Sequence, residues 1–253
     1  MVPTAHDYTT KEYTMSSYAL ITGASHGIGK SIAEAMAQKG YNLILTCNKS
    51  YEKLVDLSSQ LETQYKITCI PKQCDAKDPE AVQLLFEDID TLDAVINNAG
   101  ISYYGLLQDM TPEEWNMVIS TNLSSAFYTS KYAIPLLLKK HAGHIINISS
   151  VWGNVGAATE VAYSASKGGL NTFTKALAKE LAPSGIQVNA LCCGLIETRM
   201  NTNLSEDDKN ALLNEIPAGR IGTPEEVAKA VLCLLDMPSY FTGQTVTMDG
   251  GWT

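Results

Sequence analysis

The sequence predicts an α/β fold: one domain, built on a parallel sheet with helices on both faces. Three observations predict it. Short apolar runs alternate strictly with longer amphipathic segments, which is the pattern of strand–helix–strand units. The apolar runs are continuous rather than alternating, as expected for strands buried on both faces. At 253 residues with no long linker, repeat or low-complexity stretch, the chain suits a single large domain. The domain is expected over residues 15–253. Residues 1–14 are polar and rich in Tyr and Thr, and are read as a disordered extension or tag ahead of Met15.

Taken in order, Tyr18–Thr22 is the first strand and runs into a glycine-rich turn; Ile28–Lys39 is the first helix. Asn42–Thr46 is a second strand, followed by a helix over Tyr51–Gln64. Ile67–Gln73 is a third strand. The next helix starts at Pro79, a good first helical residue, after Asp78 as N-cap. Asp93–Asn97 is the fourth strand. A long helix is expected over Pro112–Leu138, opened by Thr-Pro, with Pro135 kinking or ending it. His144–Ile148 is a strand, Val161–Leu181 a helix and Gln187–Leu191 a strand. Helices near Asp207–Asn214 and over Pro224–Leu235 precede a last strand at Thr245–Met248.

Composition removes several functions. Eighteen basic against 27 acidic residues give a formal charge of -9, and the longest basic run is Lys139-Lys140, which argues against nucleic acid or an anionic membrane as partner. No segment reaches the roughly 18 to 20 apolar residues of a membrane span. Cys47, Cys69, Cys74, Cys192, Cys193 and Cys233 lack metal-type spacing, and His141 and His144 lack partner ligands, so no metal is expected. Reduced thiols point to the cytoplasm. The adjacent Cys192 and Cys193 read as inert thiols, with a redox-sensitive pair as the alternative.

Thr22-Gly-Ala-Ser-His-Gly-Ile-Gly29 joins the first strand to the first helix. Gly23, Gly27 and Gly29 permit a tight turn and close approach of a pyrophosphate to the helix N-terminus, with Ser25, His26 and Ile28 beside them. An enzyme using NAD usually places a carboxylate at the end of the second strand to take the ribose 2′-hydroxyl. Here that stretch is Leu45-Thr-Cys-Asn-Lys49, without one. Asn48, Lys49 and His26 are therefore read as facing a 2′-phosphate, which favours NADP(H) over NAD(H). Asp75, ending the third strand, is placed to accept from an adenine amino group. Asn97-Asn98-Ala99-Gly100 ends the fourth, where small residues allow a cofactor to pass and Asn amides can tie strand backbones.

Ser150, Tyr163 and Lys167 make the chemical set. Tyr and Lys four apart on a helix project from one face, so the ammonium is expected to lower the phenol's pKa. A hydroxyl at a neighbouring strand end can hold a carbonyl oxygen against that phenol.

In their order and spacing, the glycine turn, Asp75, Asn97-Asn-Ala-Gly100, Asn122 in Thr-Asn-Leu, the Ser150/Tyr163/Lys167 set and Gly194-Leu-Ile-Glu-Thr198 resemble the short-chain dehydrogenases/reductases. The tail, Ile216-Pro-Ala-Gly-Arg-Ile-Gly-Thr-Pro-Glu-Glu-Val-Ala and Thr242-Gly-Gln-Thr-Val-Thr-Met-Asp-Gly-Gly251, is similar to the 3-oxoacyl-[acyl-carrier-protein] reductase branch.

The resemblance implies a Rossmann-like, doubly wound, seven-stranded parallel sheet and a homotetramer. It implies a ketone reductase of fatty-acid biosynthesis type, using NADPH, with Tyr163 as proton donor, Ser150 on the carbonyl oxygen and Lys167 on the nicotinamide ribose. Asn122 would hold a water that connects Lys167 to solvent, and Gly194, Ile196 and Thr198 would lie over the nicotinamide. The chain departs from the family in two ways. Cys193-Gly194 stands where Pro-Gly is usual, and Pro135 and Ser184 occupy positions where carrier-docking arginines are expected.

Tyr103, Trp152 and Glu160 are expected to face the substrate, with Tyr104 and a lid from Thr198 to about Asn214. A Trp wall with a carboxylate suits a cationic, amine-bearing ketone. The run from Ser149 to Ser164 also resembles reductases of the 5-aminopentanone modification on bacterial elongation factor P, which is the alternative substrate. Other small ketones fit the same scaffold. Outside enzymes, the alternative is an NADP(H)-binding sensor, against which the complete Ser/Tyr/Lys/Asn set speaks.

Overall fold

The structure is a computed structural model, and it describes residues 17–201 and 206–253. The expectation for residues 1–14 lies outside them, as do residues 202–205 of the expected lid.

Seven parallel strands form one sheet in the order β3-β2-β1-β4-β5-β6-β7. They are β1 (Tyr18–Ile21), β2 (Asn42–Cys47), β3 (Cys69–Gln73), β4 (Ala94–Asn97), β5 (Gly143–Ser150), β6 (Ile186–Cys193) and β7 (Thr245–Met248). The helices are α1 (Gly27–Gln38), α2 (Tyr51–Tyr65), α3 (Pro79–Glu87), α4 (Pro112–Ile119), α5 (Ser125–Lys140), α6 (Trp152–Val155), α7 (Val161–Leu181), α8 (Glu206–Glu215) and α9 (Pro224–Leu235). This is the Rossmann-like, doubly wound arrangement expected from the sequence.

Alternation along the central strand explains the two cores. Ala19 and Ile21 of β1 face one layer with Ile32 and Met36 of α1 and Val227 and Val231 of α9. Leu20, between them, faces the other layer with Val82 of α3, Leu137 of α5 and Leu177 of α7. All of these are buried, and each large aliphatic side chain removed from water contributes about 1.5 to 3 kcal/mol.

The strand order reverses between β1 and β4, so a crevice opens at their carboxyl ends, the usual place for a ligand in such a sheet. The glycine turn after β1, Asn97 on β4, Ser150 on β5 and Cys193 on β6 all sit at that edge.

Two expectations about the long helix are corrected. It is not continuous from Pro112: Ser120–Ser124 forms a π-turn between α4 and α5. Ser and Thr there compete for the ladder carbonyls, as when Ser125 Oγ donates to Thr121 O at 2.6 Å and Thr129 Oγ1 to Ser125 O at 2.9 Å. Such turns sit at functional places often enough to direct attention to Asn122 within it. Nor does Pro135 end the helix, which runs on to Lys140. Ala133 and Leu137 on either side are fully buried, and their packing offsets the N–H that proline lacks. Asp78 accepts from Glu80 N and Ala81 N, as expected, and Thr111 and Thr223 form capping boxes with Glu114 and Glu226.

Candidate active site

The nucleotide end is held together by Thr22 and Asn98. The Thr22 hydroxyl accepts from Asn98 N and Ala99 N, both at 3.0 Å, while Asn98 Nδ2 donates to Thr22 O at 2.9 Å and Gly23 O at 3.1 Å. The ends of β1 and β4 are thus tied across the crevice, as expected for Asn98; the part played by Thr22 was not read from the sequence. Gly23 lies at φ +66, and a Cβ there would stand 3.0 Å from Ala99 Cα. At Gly29 a Cβ would stand 2.5 Å from both Asn98 Nδ2 and Gly23 O.

The first turn of α1 carries no acidic residue, and its N-cap, His26, makes no side-chain cap. Its N–H groups therefore point at the crevice, where helix-end N–H groups and the dipole attract an anion. Ser25 Oγ and His26 Nδ1 are 2.9 Å apart. Burial, then the nearby Arg199 and Lys53, holds the His26 imidazole below its ordinary pKa. Lys53 of α2 and Arg199 are two cations near the turn that sequence reasoning did not single out. Thr198 comes over the turn: a Cβ at Gly27 would lie 3.6 Å from its Cγ2. Ile196 is fixed by pairing with Gly222.

At the far edge, Asn48 and Lys49 are exposed. Burial raises the Asp75 carboxyl, but bonds from Lys77 and Asn48 outweigh it and hold the pKa below its ordinary value. Asp75 is thus joined to Asn48 and Lys77.

Ser150, Tyr163 and Lys167 meet at the mouth of β5. The register of β5 with β6 sets Ser150 beside Cys193, and α7 carries Tyr163 and Lys167 one turn apart past them. Ser150 and Tyr163 share a hydrogen bond. Lys167 Nζ donates to Ile148 O at 2.8 Å and stands 5.7 Å from the Tyr163 ring centre. Burial drives the Lys167 pKa down to about 8. Gly153 is what lets α6 press against this helix, since a Cβ there would be 2.7 Å from Lys167 C.

The expected lowering of the phenol is not found in the chain's own groups. Burial, then the Glu160 and Cys193 charges, pushes Tyr163 above its ordinary pKa, with only the Ser150 hydrogen bond pulling it down. Two side chains desolvated together each favour their neutral form, and that effect exceeds their mutual attraction.

Asn122 is tied into the site by its side chain. Its Nδ2 donates to Ile101 O at 2.8 Å and Ser166 Oγ at 3.0 Å, and its Oδ1 accepts from Ile101 N at 2.8 Å. Both amide hydrogens are used, so the side chain positions the Ala99-Gly100-Ile101 strand end. Gly100 fits between Asn122 and Lys167: a Cβ would lie 3.4 Å from Asn122 Oδ1 and 3.6 Å from Lys167 Nζ.

Of the expected substrate-facing residues, Trp152 and Glu160 come together. Trp152 N–H donates to Ser150 Oγ at 3.2 Å, and the indole donates to the Glu160 carboxylate, which burial holds above its ordinary pKa. The Tyr103 ring lies against Gly105, with its hydroxyl toward Glu114 on α4. Tyr104 is exposed.

Cys192 and Cys193 follow each other on a strand, so their side chains point to opposite faces. Both are free and buried, and burial pushes Cys193 up to about 12, which leaves little thiolate to react. Cys192 instead joins a chain of Ser149, Asn171 and Asn154 under the site: Ser149 Oγ donates to Asn171 Oδ1 at 2.6 Å, and Asn171 Nδ2 to Asn154 Oδ1 at 2.8 Å. Asn171 was legible in hindsight, four residues beyond Lys167 on the same face of α7. Gly194 is packed against Asp249, where a Cβ would come within 2.7 Å of Cα.

A family model described as enoyl-(acyl carrier protein) reductase, of the short-chain dehydrogenase/reductase type, matches residues 23–253. The chain belongs to the short-chain dehydrogenase/reductase family. It is an oxidoreductase acting on CH–OH or C=O groups, of a family built for a nicotinamide cofactor.

The relatives of this short-chain dehydrogenase/reductase cover nearly its whole length. It is 38% identical over 240 residues to the uncharacterized oxidoreductase YmfI of Bacillus subtilis, spanning 94% of this chain and 99% of that one. It is 41% identical over 238 residues to the 3-oxoacyl-[acyl-carrier-protein] reductase FabG of Escherichia coli, spanning 92% and 96%. The enzyme of that name from Aquifex aeolicus is 38% identical over 238 residues. Among the described residues, no helix is long and apolar enough to cross a membrane, and no group of His, Cys, Asp and Glu could hold a metal ion.

Proposed function

We propose that the chain is an NADP(H)-dependent carbonyl reductase, its reaction most like that of a 3-oxoacyl-[acyl-carrier-protein] reductase. The observation that carries this reading is the meeting of Ser150, Tyr163 and Lys167 at the carboxyl edge of β5, beside a crevice fit for a dinucleotide. The fit rests on steric grounds as well as charge. Gly23, Gly29 and Gly100 let the turn and the strand ends pack closely around the crevice, and the uncapped turn of α1 offers N–H groups to a pyrophosphate. Ser25, His26, Gly27 and Ile28 would hold the phosphates, and Asp75, Asn48 and Lys49 the adenosine end. Asn98, Ala99, Gly194, Ile196 and Thr198 would hold the nicotinamide side. Lys49, with Lys53 nearby and no carboxylate at the end of β2, supports a 2′-phosphate and hence NADP(H).

When bound, the reduced cofactor supplies hydride to the carbonyl carbon. The chain's side chains handle the oxygen. Ser150 donates to it and stabilises its growing charge. Tyr163 gives it the proton as general acid. A phenol held above its ordinary pKa is fully protonated at neutral pH, so the resting site is charged with the proton that reduction consumes. Lys167, buried against Ile148 O, would hold the ribose hydroxyls and return a proton to Tyr163. Asn122 is a positioning residue, acting through Ile101 and Ser166.

A second reading concerns the ketone's substituent. Trp152 and the half-buried Glu160 carboxylate come together near the site, and the Glu160 charge is felt by Tyr163, which favours an amine-bearing ketone such as the 5-aminopentanone modification on elongation factor P. A homotetramer is part of the proposal; the apolar groove of Phe127, Ile134, Phe173 and Leu177 between α5 and α7 supports an interface there. Free thiols support a cytoplasmic site of action.

The test is NADPH oxidation by the purified chain with acetoacetyl-CoA and a panel of ketones. Turnover that depends on the ketone is the expected result. NADPH binding without turnover of any ketone would overturn the reductase reading and favour the sensor.

A further inference from the structure

The wall beside Ser150 contains two residues that the sequence pattern did not single out. Trp252, next to last in the chain, meets Trp152 edge to face with ring centroids 4.8 Å apart. Each indole N–H is given to a carboxylate: that of Trp152 to Glu160, and that of Trp252 to Glu215 Oε2 at 3.2 Å. The four side chains come from α6, the N-cap of α7, the end of α8 and the C-terminal tail. The tail that brings Trp252 is fixed rather than loose. Asp249 accepts from Gly251 N at 2.9 Å, Thr253 N at 2.8 Å and Thr253 Oγ1 at 3.0 Å, and Ala218 N donates to Gly250 O at 3.0 Å.

We propose that Trp152, Trp252, Glu160 and Glu215 form a subsite for an alkylammonium group carried by the ketone, with Trp252 and Glu215 as specificity-determining residues. The inference rests on the carbonyl-reductase reading. Two indoles and two carboxylates are the chemistry that recognises an ammonium group: aromatic surface attracts cations, and a carboxylate that has accepted one indole N–H keeps lone pairs for another donor. An uncharged acyl chain would gain nothing from the carboxylates and would leave Glu160 half-buried without a counter-charge.

The subsite also reaches the chemistry. The Glu160 charge is one of the influences that hold Tyr163 above its ordinary pKa. An ammonium seated against Glu160 cancels that influence and makes Tyr163 a stronger acid.

The experiment uses the full chain with NADPH and two matched ketones. One is pentan-2-one bearing a terminal dimethylamino group, a tertiary amine that is protonated at neutral pH and cannot cyclise to an imine. The other is its isostere with isopropyl in place of that group. The readout is the ratio of kcat/KM for the two ketones, measured in the wild type and in Glu160→Gln, Glu215→Gln and Trp252→Phe. The expected result is a ratio on the order of tenfold or more in favour of the amine, falling severalfold or more in each variant.

Glu215 is exposed, so Glu215→Gln keeps the test open should Glu160→Gln misfold. A wild-type ratio near one with both ketones reduced overturns the subsite and leaves the reductase reading standing. So does a ratio unchanged in folded Glu215→Gln and Trp252→Phe. Failure to reduce these ketones or any other, with NADPH bound, overturns the reductase reading and the subsite with it.

Discussion

Gly29→Ala should damage the nucleotide end far more than an ordinary glycine substitution. The new Cβ would stand 2.5 Å from Gly23 O and 3.0 Å from Ala24 Cα, both backbone atoms that cannot swing away. It would also stand 2.5 Å from Asn98 Nδ2, displacing an amide that donates at 2.9 Å to Thr22 O and 3.1 Å to Gly23 O. Losing those two bonds costs about 2 kcal/mol, and overpacking costs a further 1 to 3 kcal/mol. Alanine's better helix propensity returns about 1 kcal/mol, leaving a net loss near 3 kcal/mol and a fall in Tm of roughly 6 to 12 °C. NADPH affinity should fall at least about tenfold, since the N–H groups that face the pyrophosphate move with the turn.

Gly40→Ala is the control. Its φ of +86 makes alanine strained, but nothing lies within 4 Å of the added Cβ, so the cost is about 1 kcal/mol and NADPH binding is unaffected. Thermal unfolding and a fluorescence titration with NADPH measure both quantities. Equal losses of stability in the two variants, or wild-type affinity in Gly29→Ala, would refute the reasoning.

Lys167→Met should stabilise the cofactor-free chain at pH 7 while weakening NADPH binding. Lys167 falls from 10.5 in the unfolded chain to about 8 in the fold, so the unfolded chain holds more protons between those values. Stability therefore rises with pH across that window, and below about pH 8 the full penalty, about 3 kcal/mol before the loss of the bond to Ile148 O, is present. The stability difference between variant and wild type should shrink as pH is raised from 7 to 10, and a pH-independent difference would contradict it. Thiol titration of the native protein should find one reactive cysteine, Cys233, and all six only after denaturation, because the other five are buried. Rapid modification of Cys192 or Cys193 would reopen a redox role. Lys49→Ala and Lys53→Ala should each lower the preference for NADPH over NADH, measured as a ratio of kcat/KM, by about tenfold.

How much of this was legible in the sequence depends on whether a feature is local. Strand and helix alternation is local, so β1 to β7 and most of the helices between them were readable within a few residues of their ends, whereas the four-residue α6 and the break between α4 and α5 were not. The Tyr163–Lys167 spacing is local to one helix, and Ser150 follows from the strand that ends beside it. The π-turn at Ser120–Ser124 was not readable, because its competition between hydroxyls and ladder carbonyls leaves no change in apolar period. The commitment of Asn122 to Ile101 depends on a loop 21 residues away. Trp252 and Glu215 meet only because the tail folds back to α8, a contact that neither segment announces. The rise of Tyr163's pKa likewise comes from burial, which the spacing to Lys167 does not convey.

The central claim is that Tyr163 gives the proton at a site that binds NADP(H) by other means. Tyr163→Phe tests it most directly, with turnover of a reducible ketone and NADPH binding measured on the same preparation. The account predicts binding within a few-fold of wild type and a loss of kcat of about 100-fold to 10,000-fold, the size of a missing general acid. Turnover within about tenfold of wild type would contradict it.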